Sequence, residues 1–401
     1  MFRRDFLKTG SVLGMGAFVP GFIARTAHAA PELGSKGAKD TILVVVQLTG
    51  GNDGLNTVIP IKNEKYYQLR PTISIPADQT LKIDDSHGLH PRMNGFSGLL
   101  EKNALAVVQG VGYPNPSQSH FRSMDIWNAG STSEKLVEGW VGNALKQMQC
   151  PAFHIAGDNE SAPLALNGSP AKVPSITTVE DFILKYIDKK GQKPIIEATA
   201  KVKGKPGLLD FVQKTATSTY SSSQRLQEVA KNYQPKVTYP AYGLANRLKV
   251  CAQLIDAGMG ARIFYVSMDG FDTHANQGGT AGNHANLLQE VSDSISAFYN
   301  DLAARGHEKR LMVMTFSEFG RRGMENGSKG TDHGSGAPMF VVGDAVKSGL
   351  IGKHPSLEKL DNGNLPHAID FRQVYATILD KWLGVSSKDV LGAKYDHIGV
   401  L

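Results

Sequence analysis

Acidic and imidazole side chains recur in glycine-rich turns along this 401-residue chain. Asp53 lies in TGGNDG, Asp272 and His274 in MDGFDTH, Glu318 in SEFG, and Asp332 and His333 in GTDHGSG. Carboxylate and imidazole donors without cysteine suit hard or borderline divalent cations such as zinc, manganese, magnesium or calcium. The spacing is long-range, so a metal site here must be assembled by the fold. One or two cations so held would polarise an ester oxygen and activate a serine or water for attack on phosphorus or sulfur. Candidate nucleophiles are Ser119, then Ser117, in GVGYPNPSQS, just ahead of a helix expected from about His120 to Trp127. A helix start is a preformed anion site, because free N–H groups and the dipole face the ligand. His120 reads as a general acid, a phosphate contact or a structural histidine. Each site residue has a plainer alternative: Ser119 as a cap, Asp53 as a cap or Asx-turn, Glu318 as an ion-pair partner of Arg321 or Arg322. The two arginines themselves suit either an oxyanion or solvent. Asp269 reads as a turn residue and His367 as structural.

Strand ends must bring these turns together. Ile42 to Val46 is an unbroken β-branched and leucine run, the pattern of a strand buried on both faces in a parallel sheet. Further strands are expected at Ala104–Gln109, Ala152–Ala156, Ser175–Thr178, Arg262–Ser267, Arg310–Phe316 and Pro338–Val342. Helices are expected near Phe96–Glu101, His120–Trp127, Leu208–Tyr233, Ala241–Ala257 and Ala285–Ala304, with a last one capped by Asp370 and running to Leu383. Lys62–Ala77 reads as a proline- and tyrosine-bearing excursion and Lys189–Pro206 as surface loop. Strands alternating with helices predict an α/β fold with a largely parallel sheet. In such sheets ligands bind at the carboxyl edge of the strands, where Asp53 falls.

Composition is that of a soluble globular protein, with 41% apolar and 20% charged residues. The net charge is +6, but Arg3, Arg4, Lys8 and Arg25 against Asp5 put half of it in the first 29 residues. The remaining +3 does not argue for nucleic acid or an anionic membrane. The amino terminus pairs Arg3-Arg4 with a short apolar run from Ser11 to Ile23 and an Ala27-His28-Ala29 cleavage site. That order resembles a twin-arginine export signal, with a membrane anchor as the alternative. The expected organisation is a signal over 1–29 and one domain over 30–401 with a helical insertion near 208–257, periplasmic or secreted, without a transmembrane segment in the mature chain. Cys150 and Cys251 are either bridged or two thiols. The G-x-G-x-x-G spacing of a dinucleotide loop is absent from Gly50–Gly54.

The chain resembles the exported family called domain of unknown function 1501. The resemblance rests on QLTGGNDGLNTVIP (Gln47 to Pro60), SHF (Ser119 to Phe121), GFDTH (Gly270 to His274), TFSEFGR (Thr315 to Arg321), GTDHG (Gly330 to Gly334) and DFRQVYATIL (Asp370 to Leu379). That family is similar to the alkaline phosphatase superfamily, sulfatases included. The resemblance implies a three-layer α/β/α sandwich with a largely parallel mixed sheet, and typically two metals bridged by a serine or threonine nucleophile. Asp53 matches the first-strand aspartate of that superfamily. Asp272 and His274 match its second Asp/His cluster, although the superfamily's wider spacing would favour Asp269 with His274. Asp332-His333 matches either the Asp-His pair that ends a strand or the last metal histidine. In the second alignment Glu318 takes the strand end, and Phe319 cannot ligate, which favours one metal or an altered pair. The function implied is an exported metal-dependent hydrolase of small-molecule or polymer-linked phosphate or sulfate esters, with the twin-arginine machinery as a partner. The alternative is a non-catalytic binding or assembly protein on the same fold with a degenerate or structural metal site.

Overall fold

The computed structural model describes residues 40–180, 228 and 232–401. The expected export signal, the 189–206 loop and most of the helix expected over Leu208–Tyr233 lie outside the described residues.

The run that reads as a doubly buried strand is β1 (Ile42–Leu48), and every one of its residues is buried. Its alternate side chains enter two different cores, as the two-residue period of a strand requires. Ile42, Val44, Val46 and Leu48 join one core, and Leu43 and Val45 join the other. Small strands β2 (Val58–Ile59), β3 (Leu81–Lys82) and β4 (Gly88–Leu89) form a separate antiparallel patch, ordered β2-β4-β3. The remaining strands are β5 (Leu105–Gly112), β6 (Ala152–Ile155), β7 (Ser175–Ile176), β8 (Ile263–Met268), β9 (Leu311–Phe316), β10 (Ala337–Gly343), β11 (Gly349–Ile351) and β12 (Ile369–Asp370). With β1 they make a nine-stranded sheet ordered β11-β5-β10-β9-β1-β8-β6-β7, with β12 also on β5.

Among the described strands of this sheet only β10 runs against its neighbours; the other pairings are parallel. The reversal matters for the site. The start of β10 lies at the edge where β1, β5, β8 and β9 end, so the loop before β10 meets the loops after them.

The helices are α1 (Glu64–Leu69), α2 (Asn94–Glu101), α3 (His120–Ala129), α4 (Trp140–Met148), α5 (Gly243–Asp256), α6 (Asn283–Ala303), α7 (Phe371–Thr377) and α8 (Ser387–Leu391). Helices α2, α5 and α6 cover one face of the sheet through Phe96, Leu248 and Ile295. The other face is covered by α3, α4 and α7 through Trp127, Trp140 and Tyr375. The result is the expected three-layer α/β/α sandwich around a largely parallel mixed sheet. Asp370 caps α7 in a reciprocal capping box with Gln373, and helical turns continue from α7 to Leu383. No described helix is long and apolar enough to cross a membrane. Cys150 and Cys251 are not joined by a disulfide; Cys251 is buried in α5, which pushes its thiol pKa up.

Candidate metal centre

The strand-edge loops bring three histidines and one aspartate to a common point. One ligand atom each from His120, Asp272 and His333 lies within 4.8 Å of the other two. His274 stands beside this group: its Nε2 is 2.8 Å from Nε2 of His333 and 3.1 Å from Oδ1 of Asp272. Oδ1 of Asp272 is also 3.3 Å from Nε2 of His333, and Oδ2 is 3.5 Å from Nε2 of His120.

The far nitrogen of each imidazole explains why the near ones converge. Nδ1 of His333 donates to the Gln118 carbonyl at 2.8 Å. Nδ1 of His120 donates to Oε1 of Glu318 at 2.8 Å. Nδ1 of His274 donates to Oδ1 of Asp332 at 3.3 Å. A neutral imidazole that donates through Nδ1 has only a lone pair on Nε2. The Nε2 atoms of His274 and His333 are within hydrogen-bond distance of each other beside the Asp272 carboxylate, and Nε2 of His120 is buried with no hydrogen-bond partner. This is the arrangement of metal-ligating histidines, each oriented by an acceptor behind it. The donor set of His120, Asp272 and His333 fits a divalent cation, with His274 beside it against His333 and Asp272.

Electrostatics keep the ligand forms ready. Burial pushes the Asp272 carboxyl up, but hydrogen bonding and charge from Arg321 hold it below the ordinary carboxylate range. Burial pushes the His333 imidazole below its usual value, opposed by the Gln118 carbonyl and Asp272 and helped by the charge of Arg321. The Asn326 hydrogen bond leads the causes that lower Asp332. Phe319 cannot ligate; its ring packs 4.6 Å from that of His333 and 4.9 Å from that of His120, closing one side with apolar surface.

The remaining expected ligands stand elsewhere. Asp53 does not fit the ligand role expected for it. It is fully buried, and Arg70 holds it bidentately, Nη1 to Oδ2 at 2.6 Å and Nη2 to Oδ1 at 2.8 Å. Gln277 donates to Oδ2 as well, at 2.5 Å. A guanidinium therefore supplies the positive charge that a cation would have supplied. That charge and hydrogen bonding from Arg70 outweigh the burial that pushes the carboxyl up, so its pKa falls below the usual value. Glu318 and Asp332 sit behind His120 and His274 as orienting acceptors. Glu318 is buried and also accepts from the Gly50 N–H at 2.8 Å.

Among the other candidates, Ser119 is the N-cap of α3, yet its hydroxyl makes no cap bond. It is exposed and stands between Gln118 and His120, both of which touch the cluster. The Ser117 hydroxyl instead accepts from the Ser119 N–H at 3.2 Å. Arg321 faces neither an oxyanion nor solvent: it is buried and donates to the carbonyls of Gly50, Gly51, Phe271 and Thr331 and to Asp272. Asp269 is an exposed turn residue that accepts from the Gly270 N–H.

Arg70 had no signal in the sequence. It lies in the excursion after β2, seventeen positions from the aspartate it neutralises, and only the fold joins them. The sequence marks His120 for chemistry but not for a place in this cluster.

No curated protein matches the chain. Among solved structures it is similar to a sulfatase from Pseudoalteromonas sp., at 13% identity over 94% of this chain and 74% of that one, with a TM-score of 0.40. It is also similar to a protein in the alkaline phosphatase superfamily from Vibrio parahaemolyticus, at 8% identity over 93% and 77%, TM-score 0.41. A third is the lipoteichoic acid synthase LtaP from Listeria monocytogenes, at 10% identity over 88% and 76%, TM-score 0.39. The family described as "Protein of unknown function (DUF1501)" matches residues 40–393, and the chain belongs to that family.

Proposed function

We propose that this protein is an exported, metal-dependent hydrolase of phosphate or sulfate esters that works with a single cation. The observation that carries the reading is the convergence of three Nδ1-anchored imidazoles and Asp272 at the carboxyl edge of the sheet. Three imidazoles favour zinc or a similar transition metal over magnesium or calcium. A bound divalent cation would polarise the ester oxygen and acidify an attacking hydroxyl or water. The chain supplies the rest. Ser119 offers a hydroxyl that its own helix does not use. The free N–H groups at the start of α3 stabilise charge that develops on a phosphoryl or sulfuryl oxygen. Phe319 excludes water from one side. Arg321 holds Asp272 in its ionised form.

A second reading has its own observation. With His274 drawn in beside His120, Asp272 and His333, the donors would number four, the count of a closed structural site, and Arg70 is the charge partner of Asp53. On that reading the protein binds or assembles without turnover.

The test is an assay of the purified mature protein with aryl phosphate, phosphodiester and aryl sulfate under zinc, manganese, magnesium and calcium, alongside metal analysis. We expect about one metal per chain. Turnover should fall roughly 100-fold or more in Asp272→Ala and in Ser119→Ala, while only the former loses the metal. Metal bound at one per chain with no turnover on any ester under any cation would establish the second reading instead.

A further inference from the structure

A cleft of about 500 Å³ opens next to the cluster, at the carboxyl ends of β1, β6 and β8. Two of its walls lead into the cluster. Met124 and Asn128 line it from α3, the helix that begins at His120. Met124 lies one turn from His120, about 6 Å along the axis. Asp269 lines it from the same turn that carries Asp272. Something attached to a group bound at the cluster would extend into this cleft.

We infer that the cleft receives a polyhydroxylated, sugar-like group that carries no negative charge of its own. The inference rests on the cluster being the reactive centre, and it names what lies beyond the ester. Three features support it. Thr49, Ser161 and Ser267 line the cleft with hydroxyls and Gln47 and Asn128 with amides, groups that both donate and accept, as hydroxyls of a sugar require. Asn128 is 97% buried, and Tyr265 binds its amide at 2.9 Å. The single phenolic proton of Tyr265 faces both Gln47 and Asn128. The Asn128 amide meets Tyr265 at its oxygen end while the residue lines the cleft.

The charge at the cleft sets the class. Asp158, Glu160 and Asp269 line it against Arg247 alone. Arg247 is turned toward Glu160, Nη1 to Oε2 at 3.5 Å. Glu160 is fixed in place, accepting from Ser267, from the Gly157 N–H at 2.6 Å and from His154. A second anionic group entering here meets surplus carboxylate, whereas hydroxyls find acceptors. Met124 and Pro163 add apolar surface for the face of a ring.

The test reads binding without turnover, so it stands apart from the hydrolase assay. Methyl glucoside and methyl glucuronide, the same ring with and without a carboxylate, are titrated into the full protein by saturation-transfer NMR. We expect saturable binding of the glucoside and binding of the glucuronide weaker by about tenfold or more. Ser161→Trp, an exposed position, should fill the cleft and weaken the glucoside by about tenfold or more while the metal content holds. The exposed pair Asp158→Lys and Asp269→Lys should narrow or invert the preference against the glucuronide. Equal binding of the two glycosides by the native protein, no effect of Ser161→Trp, or no glucoside binding at all would each overturn the proposal. No ester hydrolysis together with the expected glycoside pattern would leave the cleft assignment standing and remove only the hydrolase.

Discussion

At the scale of single residues, Asp53 enters the structure as the buried partner of Arg70. Its partner Arg70 also donates to Oδ1 of Asn56 at 2.8 Å and to the carbonyls of Gly323 and Arg322 at 3.0 Å. Gln277, the third member, accepts from Thr273 at 2.9 Å and from Thr331 at 2.7 Å. One buried ion pair thus ties the turn after β1 to the loops that carry His274 and His333. Breaking a buried pair from one side leaves an uncompensated charge, which costs about 3–5 kcal/mol. Arg70→Met should be destabilised by that order in a denaturant titration, and the double variant with Asp53→Asn should recover part of it. The sign with pH follows from the lowered carboxyl. Stability from this group is complete above the unfolded carboxylate pKa, near 3.9, and is lost as pH falls through the lower folded value. The double variant should therefore have a shallower acid limb. A loss below about 1 kcal/mol in Arg70→Met would mean that Asp53 is not the uncompensated charge described.

At the scale of elements, the cluster depends on two loops that approach to backbone contact. The Thr331 N–H donates to the Thr273 carbonyl at 3.1 Å, and Asn326 donates to the His274 carbonyl at 2.9 Å. Gly330 allows this approach, because a Cβ there would lie 2.3 Å from the His274 carbonyl carbon. Gly330→Ala must push His333 away from His274. Overpacking of this kind costs about 1–3 kcal/mol, and misplacing a ligand should lower metal affinity by about tenfold or more. Gly327→Ala is the control, since a Cβ there meets nothing within 4 Å. Competition with a chelating dye measures both; equal affinity in the two variants would refute the dependence on loop contact. The legibility of the sequence follows the same division. Strands β1, β5, β8, β9 and β10 are long apolar runs, visible because burial on two faces demands them. Strands β2, β3, β4, β11 and β12 have two or three residues each, too few to show a period, and they form because a neighbour is already in place. Helix α1, with Arg70 behind it, hides in a stretch that reads as a loop.

At the scale of the whole molecule, the sheet acts as a rigid frame with chemistry confined to one edge. His120, Asp272 with His274, and His333 come from three loops, after β5, after β8 and before β10, and the reversed β10 lets the last of these join the others. The sequence could mark each turn as chemical, but it could not say which turns end in contact. That depends on strand order, and β1 lies between β8 and β9 with nothing local to announce it. A cation shared by these three loops, as proposed, would have a thermodynamic consequence. A cation that binds the folded state alone adds RT ln(1 + [L]/Kd) to stability, about 2.7 kcal/mol at a hundredfold excess over Kd. Zinc should therefore raise the unfolding midpoint of the native protein and not that of His274→Ala. The gain has a place as well as a size. The strands are already closed by their own cores, so binding adds local order only where the ligands sit. Amide exchange should slow most around residues 118–122, 270–276 and 330–335, with little local change in β1, β8 and β9 beyond the global shift. Protection that rose in the strands and left those loops unchanged would place the cation somewhere other than this edge.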